Sequence, residues 1–562
     1  MAICCGCCDR QPLPANSRAF GIAWLAALWL RRVLTDRYTS ALRLDRLSLW
    51  QKNRVSTSAA NPPTLVEQVE SAFSAAYQAQ LPWSQLALRA RARIVGELAS
   101  KIVDRRQELH GLLTMPMRTD YRETVSAELL PLADAAGWLA RRAPRVLATR
   151  YLDGGGAPFW LGRLRSVVHR VPHGMVLIIG TWNYPIFLTG VQILHALVAG
   201  NAVAIKPAPG CEAVTQEIVR LLIECGVPKG LIVLLDSSIG AAKAAMQVGV
   251  DHVVMTGSSQ SGRAVLTQAI ASLTSATLEL SGNDAMYVLP GADLHRVCDL
   301  LRFGMRLNGG ATCMAPRRVF ITQKVSEVFY RLLEERLMEP SQQNWRTPIA
   351  AATYRRLWDG VGDALSKGAR IFSGESRPLP SSSGPEPEWL STGHLVLTDV
   401  RTDMKLYREE IFAPLVMIVP VENWSGALQA DSQCPYALTA SIFGPVEDAL
   451  RLVPFISAGT VTINDLIVPT ADPRIPFGGR GESGFGLTRG VEGLLAMTTA
   501  KVVSTRLGNG LPHAALPGVG DEQLLDGVLQ FVHGKGWRRR MAGLRQVIQA
   551  ILLQRKNRKS ND

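Results

Sequence analysis

The sequence predicts an α/β fold organised around a doubly wound parallel sheet. Between residues 175 and 280, short apolar runs alternate strictly with amphipathic helical runs. That is the pattern of buried strands joined by crossover helices. From Met286 the same alternation begins again, so a second α/β unit follows the first. The residues just past the apolar runs are polar or glycine-rich, and sheets of this kind take ligands outside the carboxyl ends of their strands.

Composition agrees with a large globular protein. A chain of 562 residues builds two or more domains, and 47% hydrophobic against 19% charged residues excludes disorder. The formal charge of +14 sits at the ends: residues 1–60 carry a net +6, residues 535–562 a net +8, and the body between is neutral. No nucleic-acid partner is expected, because no base-reading module accompanies the basic ends. Nine cysteines are too few for a disulfide framework in so long a chain and fit a reducing cytoplasm.

Taken in order, the chain opens with a basic extension, 1–60. Its Cys4, Cys5, Cys7 and Cys8 crowd too closely for a tetrahedral metal site, so no metal is expected, and a flexible, lipid-modified or non-functional leader is the reading. Phe20 to Leu30 is apolar but too short to span a bilayer. It reads as an interfacial helix or as residues upstream of the true start. Residues 61–150 are helical, with Leu65, Val69, Ala72, Phe73 and Ala76 at helical spacing. Gly154 to Gly156 break that pattern, and Arg163 to Arg170 alternate as an exposed β-ribbon that lacks a core of its own and invites a second subunit.

The alternating region then reads as strands at Met175–Ile179, Ala202–Ile205, Leu231–Leu235, His252–Met255 and Thr277–Leu280. The helices between them are Phe187–Val198, Glu212–Cys225, Ala241–Val248 and Gly262–Ile270. At the strand ends stand Thr181-Trp182-Asn183-Tyr184-Pro185, Lys206, Gly257-Ser258 and Glu279. Gly257, Ser258 and Gly262 form a strand-to-helix turn where backbone and helix N-terminus suit a pyrophosphate. Lys206 suits ribose hydroxyls, and the pair favours a dinucleotide.

The second unit begins with a strand at Met286–Leu289 and a helix at Asp293–Leu307, which delivers the loop Asn308-Gly309-Gly310-Ala311-Thr312-Cys313. Glycines let that backbone turn tightly and present the thiol; alone, the loop is equally readable as holding an inert buried cysteine. Further elements follow at Val325–Leu337, Tyr354–Ser366, Arg370–Phe372 and Leu415–Val419, with a Ser/Pro/Gly surface loop at 374–392. The glycine-dense 476–486 segment reads as a packed loop because of its Phe residues.

The motifs TWNYP, IKP, TGSxxxG, LEL, NGGATCMAP, EEIFAP and PFGGRGESGFG stand in one order over roughly 65–505. Together they closely resemble the aldehyde dehydrogenase superfamily, and TWNYP and CMAP look most like its class 3 branch. Glu279 and Cys313 are 34 residues apart, and Asn183 and Lys206 are 23 apart, as in that family.

The resemblance implies oxidation of an aldehyde to a carboxylic acid with NAD or NADP. It gives Cys313 the nucleophile's role, forming a thiohemiacetal and then a thioester. Asn183 joins the Cys313 N–H as oxyanion donor, and Glu279 is the general base. It puts Lys206 on the adenosine ribose, Gly257, Ser258 and Gly262 at the pyrophosphate, Glu410 on the nicotinamide ribose and Phe412 against the ring.

Four positions depart from the pattern: Pro209 for a ribose-binding glutamate, Ala311 for a glutamine, and Ala413 and Ser281 for glycines. The first puts NAD against NADP in question.

The implied domains are a dinucleotide-binding domain (61–150 and 173–280), a catalytic domain (281–473), and a small β oligomerisation arm (151–172). Residues 474–505 return to the cofactor domain and the arm, and a homodimer is implied. Two rivals are an acyl transfer to coenzyme A, against which Glu279 argues, and a silent scaffold, against which Cys313, Glu279 and Asn183 argue.

The tail, 506–562, is basic. Trp537, Met541, Leu544, Ile548, Ile551 and Leu552 share one helical face beside many arginines and lysines. That pattern is expected to lie on an anionic membrane surface without crossing it.

Overall fold

The computed structural model describes residues 64–152, 164–339, 344–374, 387–508 and 517–561, with positions 157, 158, 161 and 514. The cysteine-rich leader, the Phe20–Leu30 segment, Gly154–Gly156 and most of the Ser/Pro/Gly loop lie outside the described residues. The described residues belong to one unit, Thr64–Asp562.

Helix α1 (Leu65–Gln85) begins on a capping box: Thr64 accepts from the Glu67 amide while Glu67 accepts from the Thr64 amide. Short helices follow to Gly111. A π-helical turn at Val125–Leu129 then leads into α2 (Leu130–Val146).

The arm consists of β1 (Arg150–Tyr151) and β2 (Leu164–Pro172). The first large sheet uses β3 (Met175–Ile179), β4 (Ala202–Lys206), β5 (Ile232–Leu234), β6 (His252–Gly257) and β7 (Ser275–Leu280). Within it lie α3 (Phe187–Ala199) and α4 (Ser259–Ser272). The second sheet uses β8 (Asp284–Val288), β9 (Pro316–Thr322), β10 (Arg370–Ser373), β11 (Leu395–Thr398), β12 (Leu415–Val421), β13 (Thr439–Phe443) and β14 (Thr460–Ile463), with α5 (Leu294–Arg306) between β8 and β9. The chain ends with β15 (Gly484–Phe485), α6 (Gly490–Ala496), β16 (Thr498–Arg506), α7 (Asp521–His533) and α8 (Trp537–Asn561).

The first sheet runs β15-β7-β6-β3-β4-β5 and the second β10-β11-β12-β9-β8-β13-β14. All pairs are parallel except β15 on β7 and β10 on β11. Chain order reverses at β3, where β4 lies on one side and β6 on the other. That is the switch point beside which such sheets bind ligands.

Packing follows the period of two along each strand. Ala285, Tyr287, Phe320 and Leu397 enter one core of the second sheet, while Met286, Val288, Val319 and Ile321 enter the core on its other face. Helix α3 is buried at every residue, which is why its sequence is apolar all round. Gly200 ends it at φ +100°, a conformation that favours glycine.

Three expectations are corrected. The ribbon at 164–172 finds its partner in its own chain, pairing antiparallel with β16 from Leu164↔Arg506 to Pro172↔Thr498. Within the expected 374–392 loop, Trp389–Thr392 is a strand paired with Thr347–Ala350, since Leu390 gains an apolar partner in Ile349. In the glycine-dense segment Phe477 is buried, in the cluster with Cys313 and Leu438, but Phe485 is exposed.

Candidate active site

The loop holding Cys313 is shaped by three consecutive left-handed residues: Asn308, Gly309 and Gly310, at φ +52°, +61° and +78°. A Cβ on Gly310 would meet the Ala413 backbone 2.5 Å away, so only glycine lets the two loops close. Asn308, unlike glycine, is strained there, and its amide offsets the cost by donating to the carbonyls of Asn183 (2.9 Å) and Ala311 (3.2 Å). Buried Arg317 holds the same loop from below, donating to Gly310, Ala413 and Leu415 carbonyls.

Three expected catalytic residues arrive from three segments. Cys313 is buried, in an apolar cluster with Leu438 and Phe477. Asn183 follows β3; its amide nitrogen donates to the Ala311 carbonyl at 3.1 Å, and its oxygen accepts from Thr181 (2.7 Å) and the Tyr184 amide (3.1 Å). One N–H of the Asn183 amide is thereby used, and the group carries two. Glu279, in β7, is buried; Thr488 donates to its Oε2 at 3.0 Å, while Oε1 has no partner.

Electrostatics couple these groups. Burial pushes the Glu279 carboxyl up, opposed by the Arg489 cation and the Thr488 hydroxyl. Burial also holds the Cys313 thiol well above its ordinary value, reinforced by Glu279, Asp284 and Glu410 and opposed by Arg489. The resting thiol is therefore protonated, and an adjacent base must take its proton before it attacks.

The expected cofactor residues line the same end of the first sheet. Lys206 is the last residue of β4 and is buried, with Glu212 and Asp236 facing it. Gly257 ends β6, and Ser258 caps α4, accepting from the Ser261 amide at 3.2 Å. A Cβ on Gly262 would strike Leu280 at 2.8 Å, so this glycine seats α4 against β7. Phe412 packs edge-on to Trp182, with ring centroids 5.7 Å apart. These rings, Pro209 and Ala311 border an apolar cavity of about 330 Å³. Ser281, a departure from the family pattern, donates to the Gly257 carbonyl at 3.3 Å and lies beside Glu410. Among the described residues no three His, Cys, Asp or Glu side chains cluster as a metal site.

Sequence reasoning missed a layer beneath these residues. Buried Arg118 donates to the Asn183 carbonyl, pairs with Glu128 at 3.7 Å and lies 4.8 Å from the Tyr184 ring centroid. Glu128, on the π-helical turn, accepts from the amides of Ile186 (3.0 Å) and Phe187 (2.7 Å) at the start of α3. Tyr184 in turn shares a 2.6 Å hydrogen bond with Thr312. Nothing local marks Arg118, Glu128, Arg317, Thr488 or Arg489 as special, because their partners lie far away in the chain.

A sequence model described as "Aldehyde dehydrogenase family" matches residues 54–503. A curated relative, the 4,4'-diapolycopene aldehyde oxidase of Methylomonas sp, is 31% identical over 77% of this chain and 80% of its own length. A putative succinate-semialdehyde dehydrogenase [NADP(+)] 2 of Mycobacterium ulcerans (strain Agy99) is 28% identical, covering 79% of this chain and 85% of its own. Among solved structures, a Mycobacterium tuberculosis aldehyde dehydrogenase complexed with NAD+ superposes with a TM-score of 0.71 at 25% identity. That match covers 80% of this chain and 92% of the other.

Proposed function

Since the chain belongs to the aldehyde dehydrogenase family, we propose that it oxidises an aldehyde to a carboxylic acid with NAD or NADP through a covalent adduct on Cys313. The observation that carries this reading is the convergence of three distant segments on one buried thiol: Cys313, the partly uncommitted amide of Asn183, and Glu279 with an unpartnered Oε1. Glu279 takes the thiol proton, and the thiolate adds to the aldehyde carbonyl. The second N–H of Asn183 and the Cys313 backbone amide hold the oxygen that becomes negative. A nicotinamide, when bound, supplies the hydride acceptor that turns this adduct into a thioester. Glu279 gives up the thiol proton to solvent and, again a carboxylate, deprotonates the water that attacks the thioester; the C–S bond breaks, releasing the acid and freeing Cys313.

The cofactor fits the residues present. The apolar cavity bordered by Trp182, Phe412 and Pro209 suits a ring, Glu410 and Lys206 suit the riboses, and the Ser258-capped start of α4 suits the pyrophosphate. Pro209 brings no carboxylate to repel a 2′-phosphate, while Glu212 and Asp236 near Lys206 bring negative charge back. The class 3 branch rests on the spellings TWNYP and CMAP.

We assign 61–150 and 173–280 to the cofactor domain, 281–473 to the catalytic domain, and 151–172 with 474–505 to the arm and its return; the pairing of β15 with β7 and of β16 with β2 supports the return. A homodimer is supported by β16, which pairs only with β2 among the described strands. It leaves an edge carrying exposed Val502 and Val503, and such an edge recruits another strand. The described cysteines are all free, which supports a reducing, cytoplasmic setting. Helices α7 and α8 are assigned to a peripheral contact with an anionic membrane.

A panel of aldehydes assayed for NADH and NADPH formation tests the reaction. The wild type turns over at least one aldehyde, and Cys313→Ala abolishes turnover while still binding dinucleotide. Turnover retained in Cys313→Ala removes the assignment.

A further inference from the structure

Arg489 is a buried cation that the mechanism above leaves unused. It is 2% exposed, and of its guanidinium nitrogens only Nη1 has a partner, the Thr470 carbonyl; Nε and Nη2 have none. Burying a charge with unpaired donors is costly unless an opposite charge lies near. Its backbone is costly too. At φ +62°, ψ 174° it occupies a region that is essentially glycine's alone, and such strain gathers at functional sites.

The side chain extends over the Phe477 ring, 4.3 Å from its centroid, and lies 5.4 Å from that of Phe187. Phe477 packs against Cys313. The preceding residue, Thr488, donates to Glu279 at 3.0 Å. One tight turn therefore delivers both the hydroxyl that holds Glu279 and a guanidinium facing Glu279 and Cys313 across a ring.

We propose that Arg489 is the fixed positive charge that lets Cys313 and Glu279 hold one negative charge between them inside a water-poor site. It is a positioning residue in the electrostatic sense, acting through those two groups and not on the substrate. The claim rests on the reading of Cys313 as the nucleophile.

The charge inventory around the thiol supports it. Glu279, Asp284 and Glu410 face Cys313 with negative or potentially negative groups. The neighbouring Tyr184 hydroxyl is neutral, its own proton held by burial. Two cations offset them. Arg317 faces Cys313, but its donors are spent on three carbonyls. Arg489 has two nitrogens to spare and is stacked on the ring that walls the thiol. Two buried acids this close titrate as a pair, not singly. With a permanent cation beside them the pair gives up its first proton at lower pH, and that proton passes between sulfur and carboxylate at little electrostatic cost.

The test reads thiol chemistry alone, without aldehyde or turnover. Full-length protein is alkylated with iodoacetamide across a pH series, and modification of Cys313 is followed by peptide mass. A change in access alters the plateau rate, whereas a change in charge moves the midpoint. In Arg489→Gln the midpoint rises by a unit or more, so alkylation below the midpoint slows at least about tenfold; Arg489→Lys restores most of it. A Gln midpoint equal to wild type overturns the proposal. A second measurement does not depend on variants at 489. In Glu279→Gln the cation faces the thiol alone, so the midpoint falls by about a unit; an unchanged or higher midpoint also overturns the proposal. If alkylating Cys313 in the wild type leaves dehydrogenase activity intact, the nucleophile assignment fails, whatever these midpoints show.

Discussion

At the scale of single residues, the site is a buried thiol and a buried carboxyl whose environments both disfavour charge. In the proposed mechanism such a pair works only if one proton moves at the right moment, which places the kinetic weight on Glu279. Glu279→Gln keeps the Thr488 hydrogen bond and the shape but cannot accept a proton, so turnover should fall by about 10²- to 10⁴-fold. Dinucleotide affinity should change little, because Glu279 touches no expected cofactor group. Steady-state kinetics beside a cofactor titration checks this, and a kcat within about twofold of wild type means another base serves. That Cys313, Glu279 and Asn183 meet in one place was legible in the sequence because each sits in a short motif at a strand end or glycine turn. Arg118, Glu128 and Arg489 were not. Their meaning comes from a carbonyl, a helix start and a ring that are remote in sequence, and no local pattern reports a contact of that kind.

At the scale of elements, the alternation in the first sheet was readable to within a few residues, since buried parallel strands are continuous apolar runs with abrupt ends; in the second sheet Leu395–Thr398, Thr439–Phe443 and Thr460–Ile463 were not read. Trp389–Thr392 was obscured by the turn-rich composition before it, and the register of 164–172 could not be read because its partner, Thr498–Arg506, lies more than 300 residues on and no local pattern fixes the pairing. One element carries a pH signature. Asp284 opens β8, buried beneath the Cys313 loop, and accepts from the Thr439 amide (3.2 Å) and hydroxyl (2.6 Å). Burial nonetheless raises its carboxyl from 3.8 to about 7. A raised folded value means the native state binds the proton more tightly than the unfolded chain does. Its contribution to stability is therefore full below about 3.8 and is lost as pH rises through about 7. Asp284→Asn removes that dependence. Between pH 5.5 and pH 8 the wild type should lose on the order of 2 kcal/mol more stability than the variant. Urea midpoints of both proteins at the two pH values measure it, and parallel losses would refute it.

At the scale of the whole molecule, the C-terminal hairpin is the part that the enzymatic fold does not explain. The expectation of a lone amphipathic helix is corrected, because α8 packs on α7 through small residues. A Cβ on Gly527 would lie 2.9 Å from the Gly543 carbonyl, and one on Gly543 would lie 2.5 Å from the Phe531 amide. Glycines let the two backbones touch; Val547 packs inward, while several larger apolar side chains are turned outward. Leu525 and Leu529 on α7 and Trp537, Met541, Ile548, Ile551 and Leu552 on α8 all remain exposed, Trp537 by 71%. Arginines 538, 539, 540 and 545 border this face and are exposed as well. An apolar stripe flanked by cations is complementary to an anionic bilayer surface, at about 1 kcal/mol for each basic side chain near it. Among the described residues no helix is long and apolar enough to cross a membrane, and the contact proposed for this face is a peripheral one. Because α8 packs on α7, the deletion that tests it removes both helices and ends near residue 515. Flotation with anionic and neutral liposomes should recover the full chain with the anionic ones, and salt should release part of it. The shortened chain should stay in the aqueous fraction with its dehydrogenase activity unchanged. Equal recovery of both chains with anionic lipid ends the assignment. Loss of dimerisation on deletion, with no lipid recovery of either chain, gives the face to a second copy instead.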